Sequence, residues 1–352
     1  MKTNERKEKC MELFDNPLSV INGTALMDMD IPKQPFVVRG LLPQGLSVLG
    51  GAPKIGKSWL MLDLCVRVAK GEPLWDMETR RGAVLYLCLE DTYQRLQQRL
   101  TCITDDVPEN VFFALAASTL ADDLEEQLLQ FIREHPDTVL IVIDTLQLVR
   151  SGKNEPSYGG DYDDIQKLKR IAESQHIALL LVHHLRKMGD SDPVHRLSGT
   201  TGISGAVDNV FVLDKSARLE DVATLTCTGR DIQQREMELR FDKTNFIWNK
   251  LSDSAERDAP QLPPDMIAFV EFIKTIGSYE GGNTELAQMF KEHSGITLSA
   301  KILKQKMNRW CCLLSDLGIS FRSWELHDGK VVSVKYTPPV SHASQVSQDS
   351  CP

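Results

Sequence analysis

The chain has 352 residues, 42% of them hydrophobic and 25% charged, enough apolar material for one large or two unequal globular domains. Its net charge of −9 excludes a protein that coats nucleic acid with its whole surface, while a local basic face stays compatible with that total. No apolar stretch approaches the roughly 20 residues that span a bilayer, MKTNERKEKC leads into no signal core, and the eight cysteines lack paired metal spacing, so a soluble cytoplasmic chain with reduced thiols and no membrane partner is expected.

Residues 1–35 are polar and mixed and read as a lead-in. From Phe36 the pattern tightens into GLLPQGLSVLGG, an apolar strand closing on glycines. WLMLDLCVRVAKG follows, with Leu60, Leu64 and Val68 at helical spacing and Gly71 as its stop. Next come the strand GAVLYLCLED, a helix over 92–100, a short strand around VFFAL, a helix over 122–134 and the run TVLIVIDTLQLV. Long apolar runs alternating with helices indicate a largely parallel sheet covered on both faces. Residues 151–163, rich in Gly, Ser and acids, read as an exposed loop ahead of a helix over 164–174 and the strand IALLLVHH. LRKMGDSDPVHRLSGTTG has no apolar period, and a loop of that length inside a compact domain is usually functional. NVFVLD, ATLTCT, MELRFD and FIWNK alternate over short connections and read as antiparallel strands closing a domain over 36–250.

A proline-rich, charged linker over 251–265 leads to a second domain over 266–337. MIAFVEFIKTIG, TELAQMFKEHSG and SAKILKQKMNRWCCLLSDLG read as three helices, and FRSWELHDGKVVSVKYT as a hairpin turning at Asp328-Gly329. Three helices and a hairpin make a winged-helix-like α+β domain. On its third helix Lys301, Lys304, Gln305 and Asn308 share one face, while Ile302, Leu303, Met307, Trp310 and Leu314 are placed to pack inward. That polar face suits either DNA or solvent beside a docked protein. The Ser/Gln-rich tail over 338–352 is expected to be disordered.

The strongest chemical signal is Gly51-Ala52-Pro53-Lys54-Ile55-Gly56-Lys57-Ser58, set between an apolar strand and an amphipathic helix that opens with Trp59. Its glycines let successive backbone N–H groups and a helix N-terminus point at phosphate oxygens. Lys57 would reach the outer phosphates of a nucleoside triphosphate, and the Ser58 hydroxyl would ligate Mg²⁺. Asp144 ends the buried run VLIVID, where a carboxylate can hold Mg²⁺ through its water shell. Glu90 closes VLYLCLE, and a strand adjacent to the phosphate-loop strand would set it where hydrolysis needs a carboxylate to orient water. Its neighbour Asp91 fits a helix cap better. His183 and His184 end another strand, and period two allows only one ring to face the nucleotide. Arg230, in a turn after a late strand, suits either solvent or the transition-state charge on a neighbouring subunit's nucleotide.

Taken together, GLSVLGGAPKIGKSWLMLDL, VLYLCLED, VLIVIDTLQLV, LLLVHHLRK and CTGRDI resemble the RecA-like hexameric ATPases of the RepA type, helicase-like proteins of plasmids, phages and integrated elements. The resemblance covers about 30–250. It implies an α/β RecA-like P-loop core that binds ATP with Mg²⁺ in the 51–59 segment. It makes Glu90 the catalytic carboxylate, Asp144 the acid of the second Walker motif, and one of His183 and His184 (His184 the better placed) the γ-phosphate sensor. Arg230 becomes the arginine finger in trans, although Thr228 stands where replicative helicases often carry a lysine. The implied partners are further copies of the chain, as a hexamer, and single-stranded DNA through the 187–205 loop. DNA or a replication protein would contact 266–337. The motifs alone leave open a DNA motor in mobile-element replication or an ATP-dependent switch or loader that unwinds nothing.

Overall fold

The computed structural model describes residues 20–23, 26, 35–151, 158–185, 203–215, 221–257, 261–326 and 329–338. Its contacts fall into two compact units, Lys33–Ala259 and a second that includes Pro260–Pro352. Most of the expected lead-in, residues 186–202 of the long loop, and the tail from 339 lie outside the described residues.

In the first unit a short antiparallel pair, β1 (Phe36–Val38) and β2 (Leu42–Pro43), precedes the main sheet. That sheet takes β3 (Gly45–Gly51), β4 (Ala83–Cys88), β5 (Val111–Ala114), β6 (Thr138–Asp144), β7 (Ala178–His184), β8 (Asn209–Asp214), β9 (Val222–Gly229), β10 (Arg235–Asp242) and β11 (Ile247–Asp253). Their spatial order is β11-β10-β9-β8-β3-β7-β6-β4-β5. The strands from β8 to β5 run parallel, and β9, β10 and β11 complete the sheet antiparallel. Every residue of β3 and β6 is buried, as a central strand covered on both faces requires.

The helices are α1 (Lys57–Lys70), α2 (Tyr93–Ile103), α3 (Leu124–Glu134), α4 (Leu146–Val149), α5 (Tyr158–Gln175), α6 (Ile203–Ala206) and α7 (Ser254–Arg257). Strand alternation sorts the core into two layers. Val84, Tyr86, Leu140, Val142, Leu180 and Val182 face the cluster that holds Leu60, Leu64 and Val68 of α1. Leu85, Leu87, Ile141, Ile143, Leu179 and Leu181 face the other, under Leu124 and Leu128 of α3 and Leu168 and Ile171 of α5.

Several sequence expectations change. NVFVLD is β8, parallel to β3 on one side and antiparallel only to β9 on the other, because the chain re-enters beside the phosphate-loop strand in the same direction. Residues 158–163, expected as loop, are the first turns of α5, since burial of Ile165, Leu168 and Ile171 outweighs the poor helix propensity of Gly159 and Gly160. The expected linker is part strand and helix, with β11 running to Asp253 and α7 to Arg257.

The second unit packs α8 (Pro264–Ile276), α9 (Asn283–Ser294), α10 (Ala300–Arg309) and α11 (Cys311–Asp316) on an antiparallel sheet of β12 (Ser278–Gly282), β13 (Ile319–Leu326) and β14 (Gly329–Tyr336), ordered β12-β14-β13. Phe269, Phe272, Phe290, Leu303 and Met307 form its core. SAKILKQKMNRWCCLLSDLG is two helices broken at Trp310, and SYEGG, unread in the sequence, adds a third strand to the hairpin. Ile302 is 45% exposed rather than inward, because Leu303 and Met307 set the buried stripe of α10.

Candidate active site

The carboxyl ends of β3, β4, β6 and β7 open on one cavity of about 430 Å³, the end of a parallel sheet where ligands bind. Lys54, Gly56, Lys57, Ser58, Trp59, Tyr86, Cys88, Glu90, Asp144 and His184 contribute to its walls. The 51–56 turn connects β3 to α1 with Lys54 at φ 64° and Gly56 at φ 108°. A side chain at Gly51 would come within 2.8 Å of the Leu213 carbonyl, and one at Gly56 within 3.0 Å of the Trp248 ring. Only glycine fits at both. The Trp248 indole N–H donates to the Gly56 carbonyl at 3.2 Å and so covers the loop from β11. Gly56 caps α1 without a side-chain hydrogen bond, leaving the first N–H groups of the helix to a ligand. Ala52, Pro53 and Lys54 are exposed along the rim, and Ile55 anchors the turn in the core.

Lys57 is 4% exposed and donates to the carbonyls of Gly51 at 2.8 Å and Ala52 at 3.0 Å. Burial pulls its ammonium down to about 8, against the opposing charges of Asp144 and Glu90. His184 Nδ1 lies 3.2 Å from Lys57 Nζ, and His184 Nε2 lies 3.6 Å from Glu90 Oε1. His183, one residue earlier, is buried on the other face, as the alternation of β7 dictates.

The Ser58 hydroxyl donates to Asp144 Oδ2 at 2.8 Å, and the Tyr86 hydroxyl donates to the same oxygen at 2.9 Å. Burial first, then the charge of Asp144, holds the Tyr86 phenol well above its ordinary range, so it remains a donor. Ser58 and Asp144 thus present two hard oxygen ligands on one side of the cavity, a set that suits Mg²⁺ and its retained waters. Glu90 Oε1 accepts from the Thr145 hydroxyl at 3.1 Å, which fixes that carboxylate over the cavity. Burial pushes the Cys88 thiol up to about 12, leaving an inert wall.

The position of Glu90 departs from the expected route. β4 is not adjacent to β3; β7 and β6 stand between them. Glu90 reaches the cavity because the chain continues past Cys88, held by the Leu89 N–H donating to the Asp144 carbonyl at 2.8 Å. Asp91 does not cap α2 either. Thr92 is the cap, accepting from the Arg95 N–H at 3.3 Å, and Asp91 instead pairs with Arg95 and Arg99. Arg99 lies 5.3 Å over the Trp59 ring, which also stacks on Phe246 at 4.9 Å and meets Phe241 at 6.4 Å.

Sequence reasoning missed Tyr86, Thr145 and Trp248. Period two in LYLCLE aligns Tyr86, Cys88 and Glu90 on one face and could have found the first; no local pattern signals the other two.

Arg230 is not in this cavity. It follows β9, whose Gly229 pairs with Asn209 at the start of β8, whereas Leu213 near the end of β8 pairs with Gly51. Those levels are about 13 Å apart along the strand, so Arg230 sits at the opposite end of the sheet from its own phosphate loop. Its side chain is 69% exposed.

Residues 20–190 match the family model described as an AAA domain. Curated relatives include the DNA repair protein RadA of Streptococcus pneumoniae, 25% identical over 182 residues, and that of Halalkalibacterium halodurans, 29% identical over 182 residues. Each alignment covers 50% of this chain but only 37% and 34% of those proteins, so the chain spans about a third of their length. A solved DnaB-like replicative helicase, described with its interactions with primase, superimposes with a TM-score of 0.53 at 14% identity, over 71% of this chain and 72% of that one. The fold is RecA-like, as the resemblance implied. No described helix is long and apolar enough to cross a membrane.

Proposed function

We propose that this chain is an ATP-hydrolysing, DNA-acting RecA-fold motor that works as a ring of subunits, a hexamer, in the replication of a mobile element. The observation that carries the reading is the division of the site. Lys57, Ser58, Glu90, Asp144 and His184 converge on one cavity, while Arg230 stands exposed at the far end of the same sheet. An arginine so placed serves a neighbour's nucleotide rather than its own. The names of the relatives, a DNA repair protein and a replicative helicase, support DNA as the substrate acted upon.

In this reading the 51–56 turn and the open N-terminus of α1 hold the triphosphate, and Lys57 exchanges the Gly51 and Ala52 carbonyls for outer phosphate oxygens. Ser58, directly, and Asp144, through water, would hold Mg²⁺, which would supply positive charge to offset the phosphates. Glu90, steadied by Thr145, orients the water and takes its proton as the bond to the leaving diphosphate breaks. His184, between Lys57 and Glu90, contacts the γ-phosphate and reports its presence to the chain that follows β7. Single-stranded DNA is contacted by the 187–205 loop. The second unit, with the helices and hairpin of a winged-helix arrangement, contacts DNA or a replication protein.

The test is strand displacement on a forked duplex with ATP and Mg²⁺, alongside ATPase measured with and without single-stranded DNA. Unwinding with stimulated hydrolysis supports the motor. Hydrolysis without unwinding overturns it in favour of a switch or loader, and hydrolysis indifferent to DNA removes DNA as the substrate.

A further inference from the structure

Asp208, the residue before β8, is held at several points. Its N–H donates to the Leu46 carbonyl at 2.8 Å, its Oδ2 accepts from the Leu46 N–H at 3.2 Å, and its carbonyl accepts from the Arg230 N–H at 3.0 Å. Its side chain is 12% exposed. The other carboxylate oxygen, Oδ1, meets two cations of very different strength. Lys169 Nζ of α5, 13% exposed, donates to it at 2.5 Å, and Arg230 Nη1 lies 4.0 Å away. Lys169 also reaches the Ala206 carbonyl at 3.5 Å and lies 3.9 Å from Glu173.

We propose that Asp208 positions Arg230, and that Lys169 competes with Arg230 for the Asp208 carboxylate and so keeps the arginine free to reach a neighbouring subunit. The proposal rests on the reading of Arg230 as a group that acts in trans. A short, shielded ion pair is far stronger than one at 4.0 Å on a solvated side chain. Lys169 therefore offsets the carboxylate charge that would otherwise draw the guanidinium in. The backbone bond to Asp208 fixes where Arg230 starts, and the occupied carboxylate leaves its side chain extended. Without Lys169, Asp208 faces one cation, and arginine pairs with carboxylates bidentately. Arg230 would then fold down onto Asp208, away from the neighbour.

The test uses the full chain, with steady-state ATP hydrolysis, nucleotide affinity and melting temperature measured together. Lys169→Met is expected to lower kcat about ten-fold, the scale of one charge-assisted hydrogen bond, with KM and nucleotide affinity unchanged. Adding Asp208→Asn in that background removes the parking site, and kcat is expected to recover to within about three-fold of the wild type. A purely structural pair would move kcat and melting temperature together in every variant, because Asp208→Asn also relieves an unpaired shielded carboxylate, and that result overturns the proposal, as does full kcat in Lys169→Met. Lys169→Gln carries the same expectation and replaces the methionine variant should that chain be too unstable to assay. Lys169→Arg, which keeps a cation on Asp208, is expected to retain kcat. Arg230→Ala is measured in parallel: wild-type turnover there defeats the trans reading itself, whereas an inactive Arg230→Ala with no recovery in the double variant defeats only the Lys169 competition.

Discussion

On the proposed function, the buried ammonium of Lys57 should make nucleotide affinity a function of pH. In the nucleotide-free protein burial lowers Lys57 to about 8, with Asp144 and Glu90 opposing. A triphosphate favours the charged form, so it raises that value in the complex, and above pH 8 binding must take up a proton. The sign follows: affinity is full below pH 8 and is lost as pH rises through it. At pH 7 about nine-tenths of the nucleotide-free protein carries the charge, and at pH 9 about one-tenth. Affinity for a non-hydrolysable ATP analogue should therefore fall about ten-fold between pH 7 and 9, roughly 1.4 kcal/mol. Titration calorimetry at constant Mg²⁺ across that range measures it. Lys57→Arg is the control, because a guanidinium does not titrate there. A wild-type dissociation constant that changes less than two-fold, or an equal slope in Lys57→Arg, would refute the reasoning.

Three further outcomes are expected. Glu90→Gln keeps the shape of the site but cannot take a proton, so kcat should drop by about 10²–10⁴ with nucleotide affinity retained; loss of binding instead would show Glu90 to be a ligand rather than a base. Arg230→Ala should suppress hydrolysis by about 10³ or more while nucleotide still binds. Mixing it with Lys57→Ala subunits should restore part of the activity, because one variant supplies the pocket and the other the arginine; no restoration at any ratio argues against action in trans. Phe290→Ala in the second unit empties a fully buried site that touches Phe269 and Phe272 at ring separations of 5.5 and 5.8 Å. It should cost about 3–5 kcal/mol of that unit's stability, read by hydrogen exchange over α8 and α9.

How much of this was legible in advance depended on the range of the forces involved. The strand–turn–helix around Gly51–Ser58 is local. Its strand closes on glycine, its turn needs residues without a Cβ at two positions, and its helix shows an apolar stripe, so a window of about twenty residues contains the whole argument. Asp144 at the end of an all-buried strand was legible for the same reason, and so was the exclusion of one histidine by period two. Residues 158–163 were misread because local composition disfavours a helix that tertiary burial forms anyway. Asp91 was misread because Arg95 and Arg99 draw its carboxylate away from the cap.

The sequence by itself thus determined the strand–turn–helix around Gly51–Ser58, the lysine and serine that open its helix, and the acidic residues available to the cavity. Only the tertiary structure decided how they meet. It set β7 and β8, rather than β4, beside the phosphate-loop strand, and it turned His184 rather than His183 into the cavity. It brought Tyr86 onto Asp144 and Trp248 over Gly56, and it left Arg230 at the opposite end of the sheet. Periodicity and turn chemistry act over a few residues, whereas strand order is set by packing two apolar layers across a sheet whose neighbours lie up to 162 residues apart in the chain.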